Sequence, residues 1–153
     1  MEFFQAVEQL APVRLLKASF IAYPIVNAVH IAAIGALLTS VVLMDLRIVG
    51  AFHALPERPF IKLLRRLALL AFSLAALSGL LLFSVRAAHY AQLPVFIAKM
   101  GIIALAGANF IVFTSIEASR QTHHSPKVLR PLAVVSILLW CAVLLCGRFI
   151  GFL

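Results

Sequence analysis

The stretch IAYPIVNAVHIAAIGALLTSVVLMDLRIVG, Ile21–Gly50, is apolar over enough consecutive positions to cross a bilayer. It nevertheless carries Asn27 and His30 inside that run and ends in the charged residues Asp45 and Arg47. A helix turns about 100° per residue, so with Tyr23 at zero Asn27 falls at about 40°, His30 at about 340° and Asp45 at about 40°. The polar residues therefore share one stripe, and Ala, Ile, Leu and Val occupy the opposite side. In lipid that stripe must face protein or a bound group, because an unpartnered polar side chain is costly there.

Composition points the same way. Of the 153 residues, 64% are hydrophobic and only 12% are charged, against about 25% charged in an ordinary soluble domain. The chain is long enough for one compact membrane domain, with nothing left over for a soluble catalytic one. The net charge of +8 sits in residues that flank the apolar runs, so membrane topology accounts for it and nucleic acid is not an expected partner. Cys141 and Cys146 both lie in the last apolar run, about 140° apart on a helix, and cannot bridge each other. The N-terminus MEFFQAVEQL carries Glu2 and Glu8 where a signal peptide would be basic.

Four spans are predicted, at residues 24–45, 67–85, 94–116 and 131–150, preceded by an amphipathic interfacial segment at 2–17 that Pro12 divides. Proline at positions 24, 94 and 131 suits the first turn of a helix. In the second span Ala68, Ala71, Ala75 and Ser78 form a small-residue strip suited to close helix packing. The connections after the first and third spans carry five and three Lys/Arg, against one after the second, two in the N-terminal segment and one at the C-terminal end. The expected location is a bacterial inner (cytoplasmic) membrane, crossed several times, and the positive-inside rule then places both termini outside, in the periplasm. The expected fold is all-α: an integral membrane, antiparallel four-helix bundle with an N-terminal amphipathic interfacial segment.

YPIVNAVHIAAIGALLTSVVLMDLRIVG at 23–50, PVFIAKMGIIALAGANF at 94–110 and SILLWCAVLLCGRFIGF at 136–152 resemble a family of small bacterial four-helix membrane proteins that carries a domain-of-unknown-function label. That family is loosely similar to the membrane domains of copper-resistance proteins. The resemblance implies fold and location, and no activity. His53, His89 and the His123–His124 pair fall outside the resembling motifs.

His30 is the sharpest candidate for chemistry. An imidazole within a helical bundle can ligate haem iron or another transition metal. Tyr23 and Asn27 share its stripe, and Lys99, Arg86 and Arg148 lie towards the same outer end, where cations would pair with the propionates of haem b. Haem b held by His30, for electron transfer near the outer face, is the first functional expectation. A second axial ligand would have to be Met100, His89 or a second copy of His30. The competing expectation is that His30 bonds Asn27, Tyr23 or a neighbouring helix and serves packing. Copper would need a sulfur-rich ligand set that the spacing does not provide. Lys99 is expected to snorkel outward, and Asp45 to anchor the end of its helix by pairing with Arg47 or a loop arginine. His123–His124 lies in a polar loop and reads as solvated. Nothing resembles a nucleophile–base–acid set or a phosphate loop, so a self-contained enzyme is not expected. The alternative to a cytochrome is a non-catalytic accessory subunit of a membrane complex, or an oligomeric transport component. The bilayer is the first partner, and a homo-oligomer or a membrane complex the next.

Overall fold

A computed structural model of the chain describes residues 2–52, 54–119 and 129–152. All its regular elements are helices: α1 Glu2–Glu8, α2 Ala11–Ala18, α3 Ala22–Val49, α4 Glu57–Val85, α5 Ala87–Tyr90, α6 Pro94–Ser119 and α7 Leu129–Ile150. Four of them, α3, α4, α6 and α7, are long and apolar enough to cross a membrane. The protein is an all-α membrane bundle.

The boundaries follow from local chemistry. The amphipathic segment is two helices, with Pro12 in the first turn of α2, where a missing N–H has no helical partner to lose. The Ala22 N–H donates to Ser19 Oγ at 3.0 Å, satisfying one of the free donors at the start of α3. That helix runs 28 residues to Val49. Gly50, with φ at 118°, ends it and donates its N–H back to the Leu46 carbonyl at 3.1 Å.

The second span differs most from expectation. Its helix starts at Glu57 rather than near Leu67, so Arg58, Lys62, Arg65 and Arg66 stand on α4 and not in a loop. The reason is packing. Ile61, Leu64, Ala68, Ala71, Ala75 and Ser78 are all buried, at alternating steps of three and four that hold one face of the helix against its neighbour. Leu37 and Val41 of α3 cluster with Ala68 and Ala71 of α4, and Met44 clusters with Ile61 and Leu64. The small residues of α4 let the two backbones approach closely.

α3 packs most extensively against α4, α6 against α7, and α3 joins the two pairs along α7. α4 and α6 meet through side chains, with the Phe83 and Phe96 rings stacked at 5.2 Å and Arg65 bonded to Glu117 at 2.6 Å, and a cleft lies among the four spans. Large apolar side chains cover the outside: Phe20 is 97% exposed, Leu70 69% and Leu138 64%. Water would not tolerate so continuous an apolar exterior, whereas lipid does. At the end that carries the α4–α6 connection, called outer here after the expectation from the Lys/Arg counts, α1 folds over the bundle. The Ala88 N–H donates to Glu8 Oε1 at 2.9 Å, and the Phe4 ring meets Phe83 edge-on with centroids 6.1 Å apart.

Candidate functional site

Two polar clusters lie on α3, about 22 Å apart along its axis. The outer one centres on His30, whose Nδ1 is 3.0 Å from Ser78 Oγ on α4. The Ser78 hydroxyl has a single hydrogen and lies 2.6 Å from the Leu74 carbonyl, so it donates there and His30 Nδ1–H donates to the serine oxygen. The edge of the ring points at Gly79. A Cβ built on that glycine would stand 2.9 Å from His30 Cε1, so the imidazole uses space that only glycine leaves open.

The other outer residues do not gather around this imidazole. Lys99 is near enough to act electrostatically on it, but its ammonium lies over Gly147, with Nζ 3.4 Å from where a Cβ would be. Arg148 covers the Phe152 ring at 4.4 Å. Arg86 and Asn27 are exposed, and Tyr23 is 37% exposed. Met100 is 49% exposed on the outside of the bundle. His89 is exposed in the α4–α6 connection, with its ring 5.6 Å from that of Tyr90. Burial first, and then the neighbouring Tyr23, push the Tyr90 hydroxyl above its ordinary value, with Arg86 opposing.

This arrangement does not suit a porphyrin. The imidazole is packed edge-on against α4, Lys99 lies over Gly147 and Arg148 over Phe152, and Arg86, Met100 and His89 are exposed. Among the described residues no three His, Cys, Asp or Glu side chains gather as metal ligands. His53, His123 and His124 lie outside the described residues.

The inner cluster is the more unusual one. Asp45 is only 2% exposed. The Ser136 hydroxyl on α7 bonds its carboxylate, while Oδ2 has no partner among the described residues. The expected pairing with Arg47 does not form, because residues two apart point to different sides of a helix. Arg47 instead donates to the Leu55 carbonyl at 3.1 Å and lies 3.6 Å from Glu57, fastening the α3–α4 connection. Arg65, on the inner part of α4, donates to Glu117 Oε2 of α6 at 2.6 Å and lies over the Phe113 ring at 5.8 Å. Its Nε is buried without a partner among the described residues. Both unsatisfied atoms belong to residues lining one cavity of about 150 Å³, to which all four spans contribute. Asn109 lines it too, and its Nδ2 donates to the Leu132 carbonyl at 3.1 Å.

The sequence alone does not single out Arg65, Glu117 or Ser136, and its pattern makes Asp45 a helix-end anchor. One signal was present. The three-and-four apolar spacing of α4 continues back through Leu64 and Ile61, which carries Arg65 into the bundle.

The chain matches, over residues 18–153, the family described as a family of unknown function (DUF6644). No curated protein and no solved structure matches it.

Proposed function

The chain belongs to this family of unknown function, and we propose that it works as a non-catalytic, ligand-binding component of a membrane transport or accessory assembly, with the inner cleft as its binding site. One observation carries this reading: Asp45, a buried residue with one carboxylate oxygen unpartnered among the described residues, lines a cavity shared by all four spans. A buried polar atom left unpaired costs about 1–3 kcal/mol. Packing alone gives no return for that cost, whereas a binding site does, since sites of action are where stability is commonly given up. His30 then serves packing, by joining α3 to α4 through Ser78.

The test is thermal unfolding of Asp45→Asn in mild detergent, which removes the charge and keeps the shape. A functional carboxylate predicts a variant as stable as the parent or more so. A fall of about 5 °C or more, equivalent to roughly 1–2 kcal/mol at this size, would make Asp45 a structural anchor and end this reading.

A further inference from the structure

Resting on the reading of the cleft as a ligand site, we propose that its occupant is a small lipophilic ammonium ion, held by Asp45 between aromatic walls.

The charges facing the cavity set the sign. Arg65 is matched by Glu117 at 2.6 Å, which leaves Asp45, in its ionised form, as the charge without a counterpart. A neutral ligand would leave it so, and an anion would worsen it. A monocation brings the cleft to balance. Asp45 Oδ2 also needs a hydrogen-bond donor, and a protonated amine supplies one together with the charge.

The walls set the class. Phe72, Phe110, Phe113 and Trp140 line the cavity, and aromatic faces attract organic cations as well as apolar groups. A bare metal ion is poorly served. A hard cation takes about six or more oxygen ligands, and the cleft offers the Asp45 carboxylate, the Ser136 hydroxyl and the Asn109 carbonyl oxygen, well short of that number. The size is right for a molecule. On the measure by which one water needs roughly 10–15 Å³, the cavity of about 150 Å³ has room for several heavy atoms. The route is also present. Leu69 and Phe72 of α4 line the cavity while 49% and 39% exposed, so its wall reaches the lipid-facing surface. A ligand that partitions into the bilayer would enter sideways. Arg65 Nε, the remaining unpaired donor, would suit an acceptor on the same ligand.

Trp140 is the only tryptophan of the chain and lines the cleft, so its emission reports occupancy. The experiment titrates full-length protein in phosphatidylcholine nanodiscs with benzylammonium, benzyl alcohol and benzoate, three ligands of one ring and nearly one size. We expect a saturable change with benzylammonium, at least about tenfold weaker binding of benzyl alcohol, and none of benzoate. Asp45→Asn should lower benzylammonium affinity to that of the alcohol. The comparison of the three ligands needs no variant, so it stands even if Asp45→Asn fails to fold. Equal affinity for the ammonium and the alcohol, unaffected by Asp45→Asn, would overturn the cation proposal and leave a neutral-ligand site. No response to any of the three, with Asp45→Asn destabilised, would overturn both the proposal and the ligand-site reading beneath it.

Discussion

His30 and Ser78 meet at 3.0 Å across the α3–α4 interface, with the imidazole donating to a serine whose own proton is spent on the Leu74 carbonyl. The ring fits because residue 79 is glycine. Gly79→Ala would put a methyl group 2.9 Å from His30 Cε1, and both helices are packed too closely to move freely. We expect a loss of about 1–3 kcal/mol, read as a lower melting temperature in detergent. In a His30→Ala background the same substitution should cost much less, and a double-mutant cycle showing no such coupling would sever the contact.

If His30 serves packing, the purified protein should have no Soret band, oxidised or dithionite-reduced, even from haem-sufficient cells. His30→Ala should then change stability and no spectrum. A Soret band that shifts on reduction and is lost in His30→Ala would restore the haem reading.

Glu117 keeps the Arg65 charge from cancelling that of Asp45. Their pair is partly exposed, with side chains 39% and 25% accessible for Glu117 and Arg65, so Glu117→Gln should cost stability only about 0.2–1 kcal/mol. Its effect on binding should be larger. With Arg65 uncompensated, the cleft loses its net negative charge, and benzylammonium affinity should fall while benzyl alcohol affinity holds. Equal losses for both ligands would show that Glu117 shapes the cleft and does not set its charge.

Glu8 ties the N-terminal helices to the α4–α6 connection through the Ala88 N–H. Glu8→Ala should weaken that attachment by roughly 1.5 kcal/mol, the low end for a bond to a charged group, and speed amide exchange across α1 while the spans stay protected. The same contact places residues 2–8 and the α4–α6 connection on one side of the membrane, which the Lys/Arg counts predict to be the outer one. In a background with Cys141 and Cys146 replaced by alanine, Gln5→Cys should react with an impermeant thiol reagent on intact cells. Lys62→Cys should react only after permeabilisation. The reverse pattern would invert the topology.

The sequence by itself determined the class of object: an all-α membrane bundle of four spans with an amphipathic leader. Transfer of apolar groups into lipid is summed along the chain, so a run such as Ile21–Gly50 declares itself without reference to anything distant. Helical periodicity likewise set the small-residue strip from Ala68 to Ser78 on one face of its helix. Tertiary structure alone decided what the polar residues do. Hydropathy could not show that Asp45 turns from Arg47 towards Ser136 on α7, or that His30 finds Ser78 rather than Asn27. Nor could it show that Arg65 reaches Glu117, 52 residues further on. A charged residue near the end of an apolar run looks the same whether it meets water or a cleft, because burial and pairing depend on which helices lie alongside. Only the packing together of all four spans encloses the cavity that Asp45 lines.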